Sequence, residues 1–261
     1  MRLDLFLTEN GYADSRQRAK LLITEGLVSV NGKVVSKASL DVSEADSIAV
    51  GNDPIGYVSR GALKLKAAFE SFDFDIDGKI AIDVGASTGG FTEFLLEHGA
   101  EKVYAVDSGS NQLAEKLRND PRVVSMEKYN ARNLLQSDFE NEIDIAVMDV
   151  SFISQTLIIP SLAGVLASGA VFVSLVKPQF EAGRAAIGKG GIVKNPVSRA
   201  MSVKKVIECA KENGFEFCGL CVSPIKGGDG NTEYLAYFTL GDVGHTYNGN
   251  IDILISKVVE L

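Results

Sequence analysis

No run in this 261-residue chain approaches the roughly 18 uncharged apolar residues of a membrane-spanning helix, and the apolar opening, MRLDLFLTENG, carries Asp4 inside it. Neither a membrane span nor a secretory signal is expected, and the chain reads as cytoplasmic. Cysteines are scarce. The three present suit a reducing compartment, and Cys218-Gly-Leu-Cys221 lies in FEFCGLCVS, a strand-like run with no second ligand pair nearby to close a zinc site. Buried thiols and no metal are the expectation. Basic residues are outnumbered: residues 1–60 hold 7 Lys and Arg against 8 Asp and Glu, and the whole chain carries a net charge of −8. Phosphate contacts need Lys and Arg, so indiscriminate nucleic-acid binding is excluded and any nucleic acid must meet a local patch. Internal repeats and low-complexity tracts are also absent. Against these absences stands an apolar content of 46%, enough core for one large domain or two unequal ones.

One more absence is informative. The stretch DVGASTGGFTE, residues 83–93, follows the apolar run KIAI and leads into the helix-like FLLEHGA. A phosphate cradle reads G-x-x-x-x-G-K-[ST] and a dinucleotide site reads G-x-G-x-x-G. Neither fits, and no lysine is present. The order is instead an acid, Asp83, then Gly85, Ser87, Thr88, Gly89, Gly90 and Phe91. Such a chain turns tightly from strand to helix and lets its backbone approach a ligand that need not be an anion.

From residue 79 onward KIAIDVG, KVYAVDS, RVVSMEK, DIAVMDV and AVFVSLVKP are short runs rich in Val, Ile and Ala, separated by helices or connections, and they read as buried parallel strands. FEFCGLCVS and EYLAYFTL follow with only a short connection between them, too short for a crossover, so they predict an antiparallel hairpin. Seven strands make an α/β sheet. Ligands of open parallel sheets bind beyond the carboxyl ends of the strands. Those ends carry Asp83, Asp107, Glu127, Asp149 and Lys177, and the reversed last strand brings Glu233 to the same edge. An acid about twenty residues after a glycine turn can accept both ribose hydroxyls of a nucleoside, which is the role expected of Asp107. Glu127 and Asn130 stand where an adenine amino group could be read, with a local turn role as the alternative.

The first fifty residues differ in style. Leu3, Leu5, Phe6 and Leu7 start a helical stripe that stops at Asn10-Gly11, and Ser15 is a candidate cap for a second helix in which Arg16, Arg18 and Lys20 alternate with apolar residues. GLVSVNGKVV predicts a hairpin about Asn31-Gly32, and SIAV a third strand. The expected division is 1–50 for this module, 51–56 for a linker and 57–261 for the sheet domain.

RLDLFL, SRQRAKLLITEGLVSVNG, Lys37 and DSIAV resemble the RNA-binding module named after the fourth small-subunit ribosomal protein. The resemblance implies that Arg2, Arg16, Arg18, Lys20 and Lys37 meet structured RNA. The strand-acid-Gly-x-x-x-Gly-Gly turn with an acid after the second strand resembles the S-adenosylmethionine site of class I (Rossmann-like) methyltransferases. That donor is a sulfonium without phosphate, so a cradle lysine would only repel it. YVSRGALKL, DVGASTGGFTEFLLEHGA, GSNQLAEKLRNDPRV, MDVSFIS, LVKPQFEAGR and SPIKGGDGNTEYL together resemble the bacterial TlyA-like family of ribosomal RNA 2′-O-ribose methyltransferases, historically labelled haemolysins. Ser108, Ser110 and Tyr129 depart from that family's pattern.

What the resemblance implies is an FtsJ-like methyltransferase domain behind the RNA-binding module, acting on cytidine ribose of ribosomal RNA within ribosomal subunits, as a monomer without metal or membrane. It also implies a catalytic set of Lys64, Asp149, Lys177 and Glu233, with Asp149 shared by the cofactor site. A ribose 2′-hydroxyl must lose its proton as it attacks, and a lysine accepts one only when neutral. Lowering an ammonium from about 10.4 to about 7–8 corresponds to roughly 4 kcal/mol of destabilisation of the cation. Lys177 is the expected base, with Asp149 and Glu233 orienting the two lysines. Arg60 and Arg132 are expected to hold phosphates near the opening, and Lys226 with Gly227, Gly228 and Gly230 forms a candidate lid. Three rivals stand beside this reading: a pseudouridine synthase behind the same small module, a membrane-active haemolysin, and a ribosome-binding assembly factor with little catalysis.

Overall fold

The computed structural model describes residues 1–13, 16–24, 26–50, 57–244 and 246–260, and the chain divides into two compact units, Met1–Ser59 and Arg60–Leu261. Ser15, expected as a helix cap, and the 51–56 linker lie outside the described residues.

In the smaller unit, helices α1 (Leu3–Glu9) and α2 (Arg16–Thr24) pack on a three-stranded sheet of β1 (Val28–Val30), β2 (Lys33–Val34) and β3 (Ile48–Val50) in the order β2-β1-β3. The predicted hairpin forms because Asn31 and Gly32 both take positive φ, 52° and 76°, the geometry of the turn whose twist matches its strands. Leu3, Leu7, Ala19, Leu22, Ile23 and Val28 make the core, every one of them at most 3% exposed.

The larger unit opens with α3 (Gly61–Phe72) and then alternates: β4 (Ile80–Val84), α4 (Gly90–Glu97), β5 (Lys102–Asp107), α5 (Glu115–Arg118), β6 (Val123–Glu127), β7 (Ile143–Met148), α6 (Ile159–Ala163), β8 (Leu166–Val176), α7 (Pro178–Glu181), α8 (Pro196–Glu212), β9 (Phe215–Val222), β10 (Tyr234–Leu240) and α9 (Ile251–Val259). Its seven strands lie in the order β6-β5-β4-β7-β8-β10-β9. The first five in sequence are parallel, and β10 runs antiparallel to both neighbours. This is the expected sheet, and its parallel strands read as continuous apolar runs because helices cover both faces. Phe172, Phe215, Phe217 and Phe238 interlock between the last strands with ring centroids 5.2–6.3 Å apart. Each is at most 1% exposed, and burying one stabilises the fold by about 1.5–3 kcal/mol.

Two features of this topology place the site. The chain runs outward from β4 through β5 to β6, then returns to lay β7 on the other side of β4, which opens a crevice at the carboxyl ends of β4 and β7. In addition, Tyr234 pairs with Val176, so the residue before β10 and the residue after β8 meet at that same edge. Cys218 and Cys221 are half-buried on β9, where burial pushes both thiols up, and neither is disulfide-bonded. Among the described residues no group of three or more His, Cys, Asp or Glu is placed to hold a metal ion, and no helix is long and apolar enough to cross a membrane.

Candidate active site

The turn after β4 is shaped by Gly85, at φ 87°, and Gly89, at φ 96°. A Cβ on Gly85 would lie 2.6 Å from the Asp149 carbonyl oxygen, so β4 and the end of β7 pack as closely as they do only because Gly85 has no side chain. Gly89 starts α4 beneath the side chains of Leu113 and Leu117. Asp83 is fully buried. Its Oδ2 accepts both the backbone N–H of Thr92 (2.9 Å) and the Thr92 hydroxyl (2.7 Å), while its Oδ1 has no partner. Burial pushes the carboxyl up to about 7; the bonds from Thr92 oppose that shift, and the neighbouring Asp149 and Asp107 add to it.

A cleft of about 370 Å³ opens beside the turn, bordered by Gly85, Ser87, Asp107, Asn130 and Asp149 of the expected cofactor residues. Asp83, Thr88, Gly89, Gly90, Phe91 and Glu127 do not border it. Ser87 takes a positive φ of 49° and its N–H donates to Asp107 Oδ2 (2.8 Å), while Gly109 N–H donates to Asp107 Oδ1 (2.7 Å). An ionised carboxylate offers about four lone-pair sites, so two remain for hydroxyl donors. Glu127 is occupied otherwise. It accepts the backbone N–H groups of Asn111, Gln112 and Leu113 at 2.7–3.3 Å, and these bonds, led by that from Asn111, hold it below the usual carboxylate range. Its observed work is to tie down the loop after β5. Asn130 accepts Arg132 N–H (3.1 Å) and borders the cleft. The Tyr129 ring also borders it, while the hydroxyl turns away to Asn133 O and Asp138. Burial, with Asp138 beside it, pushes that phenol up to about 12.

The four residues of the expected catalytic set, drawn from four separate parts of the sequence, form one continuous row. Lys64 on α3 donates to Glu233 Oε2 (2.7 Å) and lies 3.8 Å from Asp149 Oδ2. Lys177, just past β8, lies 2.5 Å from Asp149 Oδ1, an ion pair lacking hydrogen-bond alignment, and donates to Ser151 Oγ (2.9 Å). Side-chain exposure is 2% for Glu233, 10% for Lys177, 11% for Lys64 and 19% for Asp149. Two cations and two anions balance, as such burial requires. Lys64 faces two carboxylates; Lys177 faces one carboxylate and a neutral hydroxyl.

The residues expected to bind RNA fall into groups. Arg2 bonds Asp4 through Nε (2.9 Å) and Nη2 (3.0 Å), and Arg16 adds a third bond (3.2 Å) to the same buried carboxylate. Both arginines keep about half their side chain exposed and retain unused donors. Lys20 and Lys37 are exposed and Arg18 is half-buried. Arg60 precedes the first residue of α3, and Arg132 is exposed in the short turn Ala131–Asn133.

Several groups around the site carried no readable signal in the sequence. Ser151 follows Asp149 within MDVSF, but nothing there shows that Lys177 reaches it. Phe152, 92% exposed at a strained φ of 64°, borders the cleft with Phe180 at 5.3 Å. Glu181 joins Ser154 (2.5 Å), Gln155 N–H (2.7 Å) and Lys205 (3.2 Å), and Gln155 donates to Leu175 O (2.5 Å). This buried brace ties the segment after β7 to the strand that carries Lys177.

A parallel sheet with an antiparallel last strand, a glycine turn after its first strand and an acid after its second define the fold of class I methyltransferases. The chain belongs to the FtsJ-like methyltransferase family, which matches residues 57–240, and an S4 domain matches residues 1–48. It is 45% identical to hemolysin A of Brachyspira hyodysenteriae, over 92% of this chain and all of that protein. It is 44% identical to the 16S/23S rRNA (cytidine-2′-O)-methyltransferase TlyA of Mycobacterium tuberculosis, over 90% of this chain and 88% of that protein. Among solved structures, a protein from Streptococcus thermophilus described as a hemolysin superposes with a TM-score of 0.79 at 41% identity, covering 100% of this chain and 94% of its own.

Proposed function

We propose that this protein transfers a methyl group from S-adenosylmethionine to the 2′-hydroxyl of a cytidine in ribosomal RNA within ribosomal subunits. The observation that carries the proposal is the row Glu233–Lys64–Asp149–Lys177 set beside the acid-lined cleft. The name borne by the Mycobacterium tuberculosis relative agrees with it. The chemistry of the cleft fits a cationic nucleoside ligand: Asp107 keeps room for two hydroxyl donors, Asp107 and Asp149 both border the cleft, and among the described residues no Lys or Arg does.

When bound, S-adenosylmethionine supplies an electrophilic methyl carbon on a positively charged sulfur. The chain's own residues do the rest. Asp107 would hold the ribose of the donor, Asn130 and Tyr129 would border its base, and the turn at Gly85 would take its amino-acid end, with Asp83, buried and off the cleft wall, acting on the cation only through its charge. Lys177, after giving up its own ammonium proton to solvent as donor and RNA bind, would accept the proton of the RNA 2′-hydroxyl at Nζ, leaving the oxygen free to take the methyl group that the donor would supply. Asp149 orients Lys177, and Glu233 holds Lys64 beside the same hydroxyl. The smaller unit supplies RNA affinity through Arg2, Arg16, Arg18, Lys20 and Lys37, recognising shape and phosphates; Arg60 and Arg132 contact phosphates of the larger unit's substrate strand.

The test is to incubate the protein and labelled S-adenosylmethionine with separate 30S, 50S and 70S particles from an unmodified strain, then map the modified ribose. A single methylated cytidine ribose in at least one particle is expected. The Lys177→Ala variant should lower the single-turnover rate by about 10²–10⁴ while leaving cofactor affinity intact. Label on a base or on protein, or a variant that keeps most of its rate, overturns the reading.

A further inference from the structure

A glycine-rich loop adjoins each of the strand ends that carry Lys177 and Glu233. Residues 183–194, GRAAIGKGGIVK, follow Lys177 and α7, and residues 223–232, SPIKGGDGNT, lead into Glu233. The two are fastened together. Asn231, 1% exposed, accepts Val193 N–H through Oδ1 (3.0 Å), donates to Gly191 O through Nδ2 (3.0 Å), and receives Gly227 N–H on its carbonyl (2.9 Å). Arg199 at the start of α8 adds a bond to Thr232 (3.4 Å). The assembly lies directly on the catalytic row, since a Cβ on Gly227 would stand 2.5 Å from Glu233 Oε1.

The charge of these loops is opposite to that of the chain. They hold Arg184, Lys189, Lys194 and Lys226 against the single acid Asp229, on a protein of net charge −8. All four cations are exposed, and among the described residues none makes an ion pair. Lys204 and Lys205 on the adjoining α8 differ, being paired with Asp252 (2.7 Å) and Glu181 (3.2 Å). The glycines matter too. Gly183, Gly190, Gly191, Gly228 and Gly230 face open space, so at these five positions no side chain keeps a partner's backbone away.

We propose that these two loops form a fixed phosphate-binding collar that grips the RNA backbone on either side of the target ribose, through Arg184, Lys189, Lys194 and Lys226. The proposal rests on RNA being the substrate. Anchoring by Asn231 makes the collar a standing surface rather than a flap that closes. It also answers how an acidic chain holds a polyanion next to Asp149 and Glu233: four unpaired cations are concentrated where the strand must pass.

The experiment uses the full chain with all four residues changed to Ala, and a second variant with Lys189→Arg and Lys226→Arg only. Subunit binding is read as a function of salt, KM is read in the methylation assay, and S-adenosylmethionine affinity is read by calorimetry as a control for the fold. If each cation meets one phosphate of a single strand, the salt slope of the four-Ala variant falls by about 3 and its affinity at moderate salt by tenfold or more. KM rises in step, cofactor affinity is unchanged, and the arginine variant matches the parent. A four-Ala variant with parental salt slope and KM overturns the collar. Absence of methyl transfer by the parent protein overturns the functional reading instead, and the salt slope then still decides the collar on its own.

Discussion

Asp4 in the smaller unit and Asp83 in the larger are both fully buried, yet Asp4 is held down at about 2 and Asp83 is pushed up to about 7. The difference lies in what surrounds each. The Asp4 carboxylate receives hydrogen bonds from Arg2 and Arg16, and the bond from Arg2 is the main cause of its low value, exceeding the effect of burial. Among the described residues Asp83 meets no cation; burial dominates, Thr92 satisfies one oxygen, and the other has no hydrogen-bond partner. Both oxygens of Asp4 are engaged within the fold, whereas Asp83 keeps one oxygen without a hydrogen bond. A buried, half-satisfied carboxyl asks for an explanation that a buried, fully paired one does not, and the cleft-bordering Asp107 and Asp149 are the charges that act on Asp83.

This contrast can be broken from either side. For Asp83, the pKa in the fold lies above the unfolded value of 3.8. Its contribution to stability is therefore fully present below about 4 and is lost as pH rises through about 7, an effect on the order of 4 kcal/mol for a shift of this size. Denaturant unfolding of the ligand-free protein between pH 4 and 8 should show that loss in the parent and a flatter profile in Asp83→Asn. Identical profiles would mean that Asp83 is already satisfied. Asp4 has the opposite sign. Its pKa is depressed in the fold, so its contribution is present above about 4 and lost as pH falls toward 2. Asp4→Asn should destabilise the smaller unit by about 1–2 kcal/mol near pH 7, the range expected when a charge-assisted bond loses its charge. Were that variant as stable as the parent at pH 7 and in acid, the Arg2–Asp4–Arg16 cluster would be ornamental.

These same two residues show where reading the sequence succeeds. The sheet was legible because strands covered on both faces become apolar runs, and the charged edge because each run ends at its acid or lysine. Glu233 joined that edge once the last strand was reversed. Asp4 was visible only as a charge interrupting an apolar run. That Arg2 and Arg16 converge on it depends on how α1 meets α2, which no local pattern encodes. Gly85 was read as part of a tight strand-to-helix turn, while its crowding comes from the Asp149 backbone, a contact across two strands distant in sequence. The pairing of Lys64 with Glu233 spans 169 residues and came from family resemblance; spacing alone could not supply it. Glu127 shows the reverse case: its position at a strand end left a ligand contact and a local turn role both open, and its oxygens are engaged by three backbone N–H groups of the loop after β5.

The account depends on a cationic methyl donor occupying the cleft bordered by Asp107 and Asp149, the two carboxylates whose charges act on the buried Asp83. The most direct measurement is the affinity for S-adenosylmethionine from pH 6 to 8, by calorimetry in buffers of different ionisation enthalpy, for the parent and for Asp83→Asn. A donor seated there favours the ionised carboxyl, so relative to the variant the parent should bind about threefold more tightly per pH unit near pH 7 and release about half a proton per donor bound. Equal affinity, equal pH dependence and equal proton release in the two proteins would place the donor elsewhere and contradict the account.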